Sequence, residues 1–163
     1  MSDAPGVPPP HLRILVDSDA CPVKEEVYRV ARRLAVPVTI VANSPIRIPR
    51  EPLISQIVVG DKMDAADDVI AEMSDPLAVV ITADILLAER ALKAGAAVIA
   101  PNGKPFTMNS IGAALATRAI MADLRAGGDI VGGPQPFTKA DRSRFLQALD
   151  EALVRIQRVM AAG

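Results

Sequence analysis

Carboxylates gather in this chain at three places where an apolar run gives way to a helical pattern. In "RILVDSDACPVKEE", Asp17 ends a Val-containing stretch, Asp19 follows two places later, and Cys21-Pro22 opens a helix. Asp64, Asp67 and Asp68 come just after "GDKM", and Asp84 ends "VVITAD". Like charges held this close cost free energy unless a cation, a shared proton or bulk water relieves them. A hard divalent cation, Mg²⁺ or Mn²⁺, takes carboxylate oxygens as ligands and keeps several waters. Such an ion polarises a phosphoryl oxygen and lowers the pKa of an attacking water.

The elements that must position these acids follow from hydrophobic periodicity. Leu12 to Val16 reads as a strand, and Pro22 to Ala35 as a helix with Val23, Val27, Val30, Ala31 and Leu34 on one face. Pro22 suits the first helical turn, where its missing N–H is not needed. "VPVTIVAN" and "LISQIVVG" are the second and third strands, joined by the loop "SPIRIPRE". Asp64 to Met73 is a helix, "LAVVITAD" a fourth strand, Ile85 to Ala94 a helix ended by Gly95, and "AAVIA" a fifth strand. Beyond Pro101 the pattern is helical over about 109–126 and 139–161, around the loop "GGDIVGGPQP". Thr138 and Asp141 have the spacing of a capping box. The alternation predicts an α/β fold: a mostly parallel sheet of about five strands with helices on both faces and helices at the C-terminal end. Strands rich in Val and Ile without polar alternation agree, because a strand covered on both sides has no polar face.

Open parallel sheets bind ligands at the carboxyl ends of their strands. Asp17 and Asp84 are expected there, side by side if the strand order reverses between strands one and four, with the helix start carrying Asp67 leaning over them. Each acid also has a purely structural reading. Asp64, Asp67 and Asp68 suit a helix N-terminus, and Asp19 suits a turn. Cys21 reads as a buried structural thiol, since the one histidine, His11, is expected on the surface of the tail.

Composition narrows the partners. With 163 residues the chain is long enough for one domain with a real core. Only 2% of residues are aromatic, so the core is aliphatic, and the composition argues against a stacking platform for single-stranded bases. A formal net charge of −1 provides no global field toward nucleic acid or membrane. A single cysteine fits a reducing compartment. Residues 1–11 read as a flexible proline-rich tail without the features of a signal peptide, and 12–163 as one domain. No apolar run approaches the roughly 20 residues of a membrane span. The expectation is a cytoplasmic protein.

The motifs "VDSDACPVK", "ADDVI", "VITADILLA", "KAGAAVIAPNG" and "GGPQPFTKADRSRF" resemble, in order, those of the YaiI/YqxD family of small bacterial proteins. That family is similar in fold to PIN-domain nucleases. The resemblance implies a three-layer α/β/α sandwich and an acidic cluster holding Mg²⁺ or Mn²⁺, with the PIN-like acids falling on Asp17, Asp67 and Asp84. Asp19 belongs to the family's own D-x-D-x-C-P signature. Two positions depart from the pattern: Asn102 stands where an arginine is expected before the glycine of "PNG", and Asn109 where an acid is expected after "FTM".

The activity this implies is metal-assisted phosphodiester hydrolysis on RNA or another nucleic acid. Asp17 and Asp84 would bind the ion directly, Asp67 would be a further ligand or act through water, and Asp19 would tune the site or orient the nucleophilic water. Thr82 could hydrogen-bond a carboxylate or a phosphate. Arg47, Arg50, Lys104, Lys139, Arg142 and Arg144 are candidate contacts to a phosphate backbone, although exposed bases are ordinarily solvated surface. "GGPQPF" reads as a rigid turn or a lip over the site. Two other readings use the same residues. "ILVDSD" resembles the first motif of haloacid-dehalogenase-type phosphatases, with Asp17 as nucleophile, but "GDKMD" then precedes the threonine strand instead of following it. A catalytically inactive PIN-like domain that binds RNA or protein would need no cation.

Overall fold

The computed structural model describes residues 11–19, 21–62, 64–126 and 137–162. The strands are β1 (Arg13–Asp17), β2 (Val38–Ala42), β3 (Ile54–Val58), β4 (Ala78–Ile81) and β5 (Ala97–Ile99). The helices are α1 (Lys24–Leu34), α2 (Ala65–Met73), α3 (Ile85–Lys93), α4 (Met108–Ala126) and α5 (Lys139–Ala162). All strand pairs are parallel, in the order β3-β2-β1-β4-β5. The order reverses between β1 and β4, so a crevice opens at the carboxyl ends of those two strands.

Side-chain alternation along the strands builds two cores. Ile14, Val16, Ile40, Val79 and Ile81 pack with Val27, Ala31, Phe145 and Leu149 of α1 and α5. Leu15, Val41, Val80 and Val98 point the other way, onto Ile70, Leu87, Ala91 and Ile111 of α2, α3 and α4. The chain is therefore a three-layer α/β/α sandwich whose sheet is covered on both faces, which is why its strands carry no polar face.

Several boundaries differ from the sequence reading. α1 begins at Lys24 with Val23 as its N-cap, so Pro22 precedes the helix instead of occupying its first turn. Asp64 lies just outside α2, in the left-handed region at φ 68°. β4 stops at Ile81, so Asp84 is not the end of a strand but the N-cap of α3. The Thr138–Asp141 capping box forms: the Asp141 N–H donates to the Thr138 hydroxyl at 3.1 Å, and the Thr138 N–H to the Asp141 carboxylate at 2.9 Å. The proline-rich tail up to residue 10 and residues 127–136, with the lip or turn expected there, lie outside the described residues. Among those described, no helix is long and apolar enough to cross a membrane.

Candidate functional site

Strand parity decides which layer the first acid meets. Leu15 faces α2, α3 and α4, and Asp17, two residues on, shares that face. β1 pairs with β4 in a register that sets Val16 opposite Ile81, and one further step sets Asp17 beside Thr82. The Thr82 hydroxyl donates to Asp17 Oδ2 at 2.9 Å and accepts the Asp84 N–H at 3.0 Å. Both side chains are buried. Burial pushes the Asp17 carboxyl above its ordinary pKa. The bonds from Thr82 and from the Asp19 backbone oppose the rise, while the charges of Asp19 and Asp84 add to it.

Asp84 holds the start of α3. Its Oδ1 accepts the N–H groups of Leu86 at 2.8 Å and Leu87 at 3.2 Å, satisfying two donors that the helix cannot pair internally. Its Oδ2 takes no part in that cap. Asp67 comes one turn before Ile70, the buried residue of α2, and so lies on the stripe that faces the sheet. Its pKa is pushed up to about 6, first by desolvation, then by the charges of Asp84, Asp17 and Asp64; Arg90 opposes the shift. Asp68, its neighbour, is exposed and pairs with Arg90 at 2.9 Å. Three segments thus bring Asp17, Asp67 and Asp84 into one electrostatic field.

These acids line a cleft of about 400 Å³ together with Asp19, Asp61 and Asp64, and with Asn43 and Lys62. Sequence reasoning did not single out Asn43, Asp61 or Lys62 as site residues. The signal was present, because Asn43 directly follows β2, and Asp61 and Lys62 come shortly after β3, at the same sheet edge. Among the described residues, six aspartates and one lysine line the cleft. An all-oxygen, acidic donor set of this kind suits a hard divalent cation. Among the described residues no three His, Cys, Asp or Glu side chains converge into a ready-made ligand set, so waters would complete the coordination, as is usual for Mg²⁺.

The candidate bases do not line this cleft. Arg47 is exposed beside a separate groove with Lys24 and Tyr28. Lys104 is exposed in the turn that Asn102 closes, the Asn102 side chain accepting the Lys104 N–H at 3.0 Å. Lys139 is exposed at the first position of α5 and Asn109 in the first turn of α4. Two of the substrate candidates are already engaged in protein contacts. The Thr82 hydroxyl is buried and engaged with Asp17, so it positions a carboxylate. Arg142 donates to the Pro22 carbonyl at 2.8 Å and to Glu26 at 3.0 Å, with its guanidinium 4.9 Å from the centre of the Phe137 ring, so it ties α5 to α1. Arg144 pairs with Asp141. Cys21 is buried, and desolvation raises its thiol pKa. His11 is half-buried instead of lying on the surface.

Fold and site together define a three-layer α/β protein with an acidic cleft at the switch point of a parallel sheet. Residues 15–155 match the family described as "Uncharacterized BCR, YaiI/YqxD family". The chain is 68% identical over 149 residues to a UPF0178 protein of Sphingopyxis alaskensis, covering 91% of this chain and 97% of that one. It is 61% identical over 146 residues to a UPF0178 protein of Bradyrhizobium diazoefficiens, covering 90% and 87%. A UPF0178 protein of Nitrobacter winogradskyi is 59% identical over 151 residues, covering 93% and 96%. No solved structure matches. The chain belongs to the YaiI/YqxD family.

Proposed function

We propose that the protein is a divalent-metal-dependent phosphodiesterase, a nuclease with a PIN-like acidic site acting on RNA or another nucleic acid. The observation that carries this reading is the convergence of Asp17, Asp67 and Asp84, from three segments, on one aspartate-lined cleft, where burial and the charges of Asp84, Asp17 and Asp64 raise the Asp67 carboxyl to about 6. A divalent cation is the partner that turns this repulsion into attraction. Asp17, Asp67 and Asp84 would hold Mg²⁺ or Mn²⁺, which when bound supplies Lewis-acid activation of a phosphoryl oxygen and of water. Thr82 fixes one Asp17 oxygen, which leaves the other for the ion. The α3 backbone fixes Asp84 Oδ1 in the same way. Asp19, exposed at the cleft wall, would orient the nucleophilic water. Lys62, the base in the lining, would take a phosphate oxygen.

A second reading has one observation on its side. The carboxylates form no ready-made ligand set among the described residues, as would suit a PIN-like scaffold that binds RNA or protein without catalysis. Calorimetric titration with Mn²⁺ separates the two, using the full chain and Asp84→Asn. Asparagine keeps a cap acceptor and loses the charge, so α3 persists. Saturable binding in the wild type, weakened at least about tenfold in the variant, or about 1.4 kcal/mol, is the expected result. A folded wild type that binds no Mn²⁺ refutes the metal-dependent reading. Cleavage of an oligonucleotide, compared with a phosphate monoester, then distinguishes a nuclease from a phosphatase.

A further inference from the structure

The last helix outruns the core it packs on. Phe145, Leu149, Ala152 and Leu153 are the buried residues of α5, whereas Val159 and Met160 stand 68% and 42% exposed. Two cavities meet along this stretch. One, about 470 Å³, is lined by Asp150, Val154, Arg158 and Val159; the other, about 300 Å³, lies against Val98 and Phe106 at the β5 edge. Glu151 and Arg155 belong to both. Glu151, Val154, Arg155 and Arg158 follow the i, i+3, i+4, i+7 spacing of one helix face. The cavities and the helix therefore form one surface running outward from the sheet edge.

The charges on this face are ordered. Glu151 comes first and, among the described residues, accepts only from Gln147, at 3.1 Å. Arg155 and Arg158 come last and make no ion pair among the described residues. Asp150, beside them, is taken by Arg33. An acid-to-base order along a helix is self-complementary under a two-fold axis, because an antiparallel copy sets each acidic end against the other's basic end. The neighbouring sheet edge offers no competing site. β5 has three residues, its Val98 carbonyl accepts the Phe106 N–H at 2.9 Å, and Pro105 bridges Ile99, so strand addition is blocked.

We propose that this face docks a second copy of the chain, α5 against α5 and antiparallel about Val154 and Arg155, with Glu151 of each copy meeting Arg158 of the other. Val159 is covered in the pair, which removes from water the most exposed large hydrophobic side chain among the described residues. The partner is another copy because the charge order fits its own reverse.

Sedimentation equilibrium of the full chain tests this, at concentrations up to about 100 μM, where a specific interface of ordinary size is populated. The expected mass is twice that of the chain. Arg158→Glu alone and Glu151→Arg alone each weaken the dimer at least about tenfold, and the two together recover most of the loss, as a direct pair requires. Both side chains are exposed, so the variants fold, which circular dichroism checks. A monomer throughout the range overturns the proposal. So does a dimer that neither reversal weakens, or a double variant no tighter than the singles, since the contact then lies on another face or with another protein.

Discussion

Without a cation, Asp67 should destabilise the fold it sits in, and replacing it should show this. In Asp67→Asn the repulsion from Asp84, Asp17 and Asp64 disappears while the shape is kept. A carboxyl moved from 3.8 to about 6 corresponds on paper to about 3 kcal/mol at 1.36 kcal/mol per unit. The group is substantially open to water, and screening brings that down to no more than about 1 kcal/mol. The helix dipole works against it, favouring a carboxylate in the first turn of α2 by about 0.3–1 kcal/mol. The pH dependence is therefore the decisive readout. Because the native pKa is the higher one, the folded protein holds this proton more tightly than the unfolded chain. The resulting stability is complete below about pH 3.8 and lost as pH rises through about 6.

Urea unfolding in the presence of EDTA should then find the variant gaining on the wild type, by up to about 1 kcal/mol, as pH goes from about 4 to about 8. In thermal unfolding that is about 2–4 °C for a domain of this size. Mn²⁺ should reverse the ranking at pH 8, because a ligand that binds only the folded state stabilises the tighter binder more. A stability difference that stays flat with pH, or that moves toward the wild type on raising it, refutes the electrostatic account of the cleft.

Thr82→Val should destabilise the protein by about 1–3 kcal/mol in urea unfolding, because it strips a buried carboxylate and the Asp84 N–H of their shared partner; it should also weaken Mn²⁺ binding with α3 intact. Gly103→Ala should cost more than about 2 kcal/mol and lower the midpoint of thermal unfolding by more than about 4 °C. Gly103 has φ +89°, and an added Cβ would come within 2.5 Å of the Arg144 backbone.

The layer order and the positions of Asp17 and Asp67 were legible because they follow from local pattern. Buried parallel strands announce themselves as Val/Ile runs, and Asp67 precedes Ile70 by one helical turn in any helix that includes both. Other features depend on what the chain meets in space. Nothing in "VVITAD" states that the strand ends at Ile81 and that the next three residues swing Asp84 into a cap. Thr82 and Arg142 look like free polar groups in the sequence, and only the β1–β4 register and the α1–α5 contact show them already engaged. Asn43, Asp61 and Lys62 lay within reach of the sheet-edge rule. Asn43 and Lys62 carry no acid to mark them, and Asp61 lies in "GDKMD" ahead of the helix that holds the other acids.

Asp67 and Asp68 make the strongest internal comparison for the cleft. Both lie in the first turn of α2, and both satisfy its dipole. Asp68 does so at the surface, with Arg90 as its partner. A helix that needed only an acid near its start is therefore already served. Asp67 instead faces the sheet, desolvated and repelled by three other carboxylates. Capping accounts for Asp84 Oδ1, and the Thr82 bond accounts for one oxygen of Asp17. Neither accounts for Asp67. A divalent cation, as proposed above, would offset that repulsion, which is why the pH and Mn²⁺ responses of Asp67→Asn bear on the proposed function and not on stability alone.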